Sequence, residues 1–166
     1  MIDSEGYQIN TGIVIIDNKQ QILLVKCFKQ DSWQLPQSGI DFGESEFDAL
    51  FQELNEEIDF SSEHLNVLAK TLKWLRYDLP DYHIKHKQKS VCIAQKQVWF
   101  LLRLISDENN IKLDIHTQIE FDDWAWVDYW RPIENMIDFK KPIYEDMLKA
   151  LTSVFFNNQH KILRLF

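Results

Sequence analysis

The spacing of hydrophobic and polar positions changes several times along the chain, and each change marks an element. Thr11 to Ile16 and Gln21 to Cys27 are aliphatic and β-branched runs separated by Asp17-Asn18-Lys19-Gln20, a turn composition that predicts a β-hairpin. Trp33 to Gly43 holds one proline and two glycines, as a shaped loop does. From Glu44 to Ile58 the period becomes helical: Phe47, Leu50, Phe51, Leu54 and Ile58 fall on one stripe when residues are turned by about 100° each. Leu65 to Tyr77 and Gln95 to Ile105 read as long strands, and Trp124 to Trp130 as a shorter one. Pro142 suits a first helical turn, and Ile143, Met147, Leu148, Leu151 and Phe155 continue that helix. The pattern predicts an α/β (α+β) layered fold, a mixed sheet between helices, in one domain over residues 1–166. No linker-like or repeated stretch divides it.

Composition excludes several classes. With 45% apolar and 13% aromatic residues in 166, the chain can build a substantial core, so disorder is excluded as its main state. Two cysteines, Cys27 and Cys92, are too few for a disulfide scaffold and lack paired metal-ligand spacing. Apolar runs fall far short of the roughly 18 residues of a membrane span, and residues 1–10 carry no signal-peptide pattern, so a cytoplasmic protein without a membrane partner is expected.

The formal charge of −8 is unevenly placed. Asp41 to Glu63 carries nine acidic residues and no Lys or Arg, which leaves 17 acidic against 18 basic residues elsewhere. His64 to Arg103 holds eight basic residues (Lys70, Lys73, Arg76, Lys85, Lys87, Lys89, Lys96 and Arg103) against Asp78 and Asp81, a stripe able to attract a polyanion. Within the acidic block, Glu53, Glu56 and Glu57 stand at i, i+3 and i+4 on one helical face, away from the apolar stripe. Like charges at those spacings repel, and no basic residue lies three or four positions away to relieve them. Such a face is either simply solvated or holds a hard divalent cation, since Mg²⁺ takes oxygen ligands and shares its shell with waters and phosphates.

Read from Ser38, the chain runs Ser38, five residues, Glu44, seven residues, then Gln52-Glu53-Leu54-Asn55-Glu56-Glu57-Ile58-Asp59-Phe60. This resembles the Nudix box, Gly, five residues, Glu, seven residues, then Arg-Glu-aliphatic-any-Glu-Glu-any-Gly-aliphatic, with all four glutamates in register. Gly6-Tyr7, Asn10, Ser32-Trp33-Gln34-Leu35-Pro36-Gln37, Trp74-Leu75-Arg76-Tyr77, Gln95-Lys96-Gln97-Val98-Trp99-Phe100, Glu120-Phe121-Asp122 and Phe139-Lys140 are similar to the bacterial RNA pyrophosphohydrolase branch of that family. Ser38, Gln52 and Asp59 depart from the box, and Gln8 and Cys27 stand where that branch has basic residues.

The resemblance implies a Nudix fold and a divalent cofactor, Mg²⁺ or Mn²⁺, held by Glu53, Glu56 and Glu57, with Glu120 entering from a separate loop. Glu53 and Glu57 are the implied catalytic residues, Glu53 orienting or deprotonating the attacking water. Ser32, Trp33, Gln37, Gly39, Tyr77, Gln95, Phe139 and Lys140 are the implied substrate-binding residues, the aromatic ones as platforms for unpaired bases. The segment Tyr77 to Ser90 is expected to flank the substrate as a loop. The implied reaction converts a 5'-triphosphorylated or diphosphorylated RNA end to a monophosphate in a monomeric enzyme. Two other readings are a dinucleoside polyphosphate or nucleotide pyrophosphohydrolase, and a catalytically weakened RNA-binding homologue suggested by Ser38, Gln52 and Asp59.

Overall fold

The computed structural model describes residues 1–81, 85–87, 90–92, 94–115, 117–134, 136 and 138–157, with 85–87 and 90–92 described by backbone alone. The expected hairpin is present as β1 (Tyr7–Ile16) and β2 (Ile22–Cys27). Its turn is held by Asp17, whose Oδ1 accepts from the backbone N–H of Lys19 at 2.9 Å and of Gln21 at 2.8 Å. The strands pair at Ile16 and Ile22 and then part. Into the gap run β3 (Trp33–Gln34), paired with β2, and β4 (Gln37–Gly39), paired with β1. Pro36, between them, accepts the Ile13 N–H on its carbonyl at 2.9 Å. The predicted loop is therefore an insertion anchored on both sides, and it gives the following helix a fixed origin.

That helix, α1 (Glu46–Ile58), starts where Ser45 Oγ accepts from the Asp48 N–H at 3.1 Å. It ends at Asp59, in the left-handed conformation (φ 62°, ψ 30°) that Asp adopts more readily than most residues. Leu50, Leu54 and Ile58 of the predicted stripe are buried and Phe51 is half-buried. Phe47 sits at the rim, its ring edge-on to Phe51 at 4.9 Å and to Phe100 at 6.2 Å.

Beyond α1 come β5 (Leu65–Lys70), β6 (Leu75–Asp78), the short pair β7 (Lys85–Lys87) and β8 (Ser90–Cys92), β9 (Ala94–Leu104) and β10 (Phe121–Val127). The short α2 (Arg131–Glu134) and the long α3 (Lys141–Asn157) complete the order. The main sheet runs β10-β2-β1-β9-β5, with β3, β4 and β6 paired at its open end. β1 and β9 are parallel and the other described pairs antiparallel, so the sheet is mixed as expected.

Three boundaries differ from the pattern reading. The single strand expected over Leu65 to Tyr77 is two, because Lys70 faces Phe100 and Leu75 faces Gln97, so four residues oppose two and must bulge. Thr71 pins the bulge: its N–H donates to the Trp99 carbonyl at 2.8 Å and its Oγ1 accepts from the Trp99 N–H at 3.0 Å. The strand expected over Trp124 to Trp130 begins and ends earlier, since Tyr129 turns out of the sheet to donate its hydroxyl to the Leu148 carbonyl at 2.7 Å. The segment expected as a loop contains the antiparallel strand pair β7–β8, while residues 82–84 and 88–89, Lys89 among them, lie outside the described residues.

Alternation along the central strands sorts the core into two layers. Ile13, Ile15, Leu23, Val25, Val98, Phe100 and Leu102 pack on one side with Leu50, Leu54 and Ile58 of α1. Val14, Ile16, Ile22, Leu24, Trp99 and Leu101 pack on the other with Tyr144, Met147, Leu148, Leu151 and Phe155 of α3. The sheet is thus sandwiched between helices. Gly12 lies opposite Trp99, and a β-carbon there would stand 2.4 Å from the indole ring. Gly12→Ala is expected to lower stability by about 1–3 kcal/mol through overpacking. Equilibrium denaturation reads this as a lower midpoint, and an unchanged midpoint would show that the Trp99 side of the core yields.

Candidate metal and nucleotide site

The acidic site forms where the second half of α1 meets the start of β10. Glu120 precedes β10, and its carbonyl accepts the Phe28 N–H at 2.7 Å just past the end of β2. The Lys29 N–H donates to Asp122 Oδ2 at 2.8 Å, beside the register shift between Phe121 and Asp123. Sheet pairing thus carries Glu120 to α1, although five of the ten strands lie between the two in the chain.

Glu53 is the unusual member. It lies on α1 only 8% exposed, and its Oε1 has no hydrogen-bond partner among the described residues. Burial foremost, then the charges of Glu120 and Glu57, push its pKa up to about 8. Burial, then Glu120 and Glu56, push Glu57 up to about 7. Burial raises Glu120 as well, although its outer side is exposed. The Ser38 hydroxyl, which donates to the Gly39 carbonyl at 3.2 Å, also acts on Glu53 as a hydrogen-bonding neighbour and opposes the rise. Ser38 does not adopt a positive φ, and its β-carbon causes no backbone strain.

These carboxylates feel one another electrostatically, yet no three acidic, histidine or cysteine side chains close around a single point among the described residues. The cluster is open. A cleft of about 300 Å³ lies along it, lined by Glu56, Glu57, Thr117 and Gln118. A buried, unpartnered carboxylate oxygen beside three further carboxylates suits a divalent cation that keeps part of its shell for water and phosphate. Gln52 Nε2 donates to Glu56 Oε1 at 2.9 Å, and Glu44 accepts the Asp41 N–H at 2.9 Å, so the fourth glutamate of the box shapes the loop.

A second group of expected residues gathers on the α3 side of the sheet. The Tyr77 hydroxyl donates to Gln95 Oε1, which also accepts from Asn10 Nδ2 at 3.1 Å. The rings of Tyr77 and Phe139 lie 6.2 Å apart at 36°. Gln37 Oε1 accepts from Gln97 Nε2 at 2.8 Å. Gly39 sits opposite Asn10 at the border between this group and the carboxylates. Ser32 accepts the Cys27 N–H on its carbonyl at 2.9 Å, and both Glu120 and Lys140 act electrostatically on the half-buried Cys27 thiol. Trp33 is half-buried against the α3-side core.

Asn10 and Gln97, both buried, were not among the expected site residues. Their signal is a polar residue recurring at period two where a buried strand should stay apolar, as in Gln95, Gln97 and then Trp99. The basic stripe is interrupted: Lys70 pairs with Glu46, Lys96 with Asp3, Arg76 lies 5.3 Å over the Tyr7 ring, and Arg103 is buried.

The raised carboxylate values set a pH dependence for the metal-free protein. A glutamate whose folded value exceeds its ordinary 4.5 stabilises the fold below 4.5, and that stability is lost as pH rises through the folded value. Metal-free Tm is therefore expected to fall between about pH 4.5 and 8, and a divalent cation should reverse the fall at pH 8. A metal-free Tm that climbs across that window would contradict this account of the cluster.

Residues 6–147 match the family model described as NUDIX domain. An RNA pyrophosphohydrolase of Ruthia magnifica subsp. Calyptogena magnifica is 80% identical, the match covering 98% of this chain and 90% of that protein. One from Shewanella piezotolerans is 47% identical over 90% of this chain and 86% of its own length. Among solved structures, the E. coli dihydroneopterin triphosphate pyrophosphohydrolase superposes with a TM-score of 0.65 at 17% identity, covering 86% of this chain and 97% of that one. A C. elegans Ap4A hydrolase binary complex gives a TM-score of 0.60 at 17% identity over 88% and 98% of the two chains. Structural likeness at that identity speaks to the fold, while the family model and the sequence relatives speak to descent. The carboxylate helix, the sandwiched mixed sheet and the match over residues 6–147 together make the chain a member of the Nudix family.

Proposed function

We propose that the chain is a divalent-metal-dependent RNA 5' pyrophosphohydrolase, a single Nudix domain over residues 1–166 that acts in the cytoplasm as a monomer. The observation that carries the reading is the buried Glu53 carboxylate, with one oxygen lacking a hydrogen-bond partner, set among Glu56, Glu57 and Glu120. The RNA substrate is supported by the relatives named RNA pyrophosphohydrolase at 80% and 47% identity.

Glu53, Glu56, Glu57 and Glu120 would hold Mg²⁺ or Mn²⁺, which when bound neutralises phosphate charge and activates water. Glu53 is the proton acceptor for the attacking water in this reading, set by its place among the carboxylates that would hold the ion. Tyr77 and Phe139 hold a base near the 5' end, with Gln95 fixing the Tyr77 hydroxyl. Gln37 and Gly39 line the passage from that base to the carboxylates, and Ser32 and Lys140 flank it near Cys27. The box departures are compatible with turnover: Asp59 caps α1, Ser38 is unstrained and Gln52 still holds Glu56.

Purified protein with 5'-triphosphorylated RNA and Mg²⁺ or Mn²⁺ should release pyrophosphate or phosphate and leave a 5' monophosphate. Absence of release beside an active control would sink the proposal, and a clear preference for dinucleoside polyphosphates would reassign the substrate. Glu53→Gln should lower kcat by roughly 100-fold or more, and a full rate would remove Glu53 from its role. Phe139→Ala should raise KM for RNA by about five- to 100-fold with a smaller effect on kcat, because one base–aromatic stack contributes about 1–3 kcal/mol. An unchanged KM would place the base elsewhere.

A further inference from the structure

Position 52 adjoins the most buried carboxylate of the cluster, yet its side chain is exposed. Gln52 Nε2 reaches along α1 to Glu56 Oε1 at 2.9 Å, one helical turn on. No Lys or Arg forms an ion pair with Glu53, Glu56, Glu57 or Glu120 among the described residues. The last turn of α1 carries no basic residue either, so the cluster's charge also stands against the negative end of the helix dipole. The box pattern has Arg where this chain has Gln52. A guanidinium there would hold a carboxylate by a charge-assisted bond and would cancel one unit of the cluster's charge. A neutral amide restricts the same carboxylate by geometry and leaves its charge intact.

We propose that Gln52 is a positioning residue for Glu56: its amide orients the carboxylate without neutralising it, so the cluster draws a divalent cation more strongly than it would with Arg at position 52. This rests on the reading of the acidic cleft as a divalent-metal site. The electrostatic part follows from Coulomb's law, because a fixed positive charge beside Glu56 repels a divalent ion bound by the same carboxylate. The orienting part follows from the general behaviour of groups that hydrogen-bond a metal ligand, whose loss weakens metal affinity although they never touch the ion.

The test is Mn²⁺ binding to the full chain, followed through the electron paramagnetic resonance signal of the free ion, at low and high salt. Wild type, Gln52→Arg and Gln52→Met are compared, with thermal melts to verify that each variant is folded. Gln52→Arg is expected to bind Mn²⁺ roughly three- to tenfold more weakly, with the deficit shrinking at high salt as the added charge is screened. Gln52→Met, which suits a helix but has no donor, should weaken binding by roughly three- to tenfold without changing its salt dependence. A structural role alone would not separate the two variants by salt. If either variant binds Mn²⁺ as tightly as wild type, the proposal for Gln52 is overturned while the metal site stands. If wild type binds no Mn²⁺, the metal-site reading fails and this inference fails with it.

Discussion

A carboxylate almost removed from water, without a hydrogen bond to one of its oxygens and with three more carboxylates around it, opposes folding. Glu53 is held in that condition, and much of the molecule can be understood as the frame that holds it. Desolvation disfavours the charged form, and Glu57 and Glu120 add repulsion, so the group binds its proton up to a pH of about 8. The apolar stripe of α1 supplies the opposing force. Leu50, Leu54 and Ile58 bury against the sheet, and Glu53 enters the buried layer beside them.

The frame also depends on how β1 and β2 separate. They meet at Ile16 and Ile22, and the widening gap admits β3 and β4, which fix where α1 begins. The same sheet end presents Glu120 through β10 and gathers Tyr77, Gln95 and Gln97 from β6 and β9. The divergence of β1 and β2 therefore helps position both the acidic cleft on the α1 side and the group of Tyr77, Gln95 and Asn10 on the α3 side. That arrangement suits a substrate with a polyanionic end and a base beyond it.

Much of this was legible in the sequence, for physical reasons that differ by element. The α1 helix was clear because its apolar residues keep a helical period over several turns, but its glutamates do not all point away from the core as their spacing suggested: Glu56 is exposed, Glu57 is half-buried and Glu53 is buried beside the apolar stripe. The central strands were clear because β-branched and aliphatic residues run continuously where both faces are buried. The break at Thr71 was hidden, since Thr and Leu favour strands and the bulge is imposed by the register of β9 rather than by local preference. Trp130 looked like a strand residue, but Tyr129 leaves the sheet to bond α3, a contact between distant segments. In the site, the three helical glutamates followed from spacing, while Glu120 emerged only from resemblance because one acid among several in a turn has no distinguishing pattern. Asn10 and Gln97 lie in segments that carry the resemblance but were not assigned to the site, because the role of an amide in a strand depends on partners that only the fold supplies.

The central claim is that the buried carboxylates retain protons near neutral pH and exchange them for a divalent cation. Calorimetric titration with Mn²⁺ at pH 7, repeated in buffers of different ionisation enthalpy, counts the protons released on binding. With Glu53 held near 8 and Glu57 near 7, the account predicts release of about one proton or more per protein molecule. Saturable Mn²⁺ binding with no proton release would contradict it.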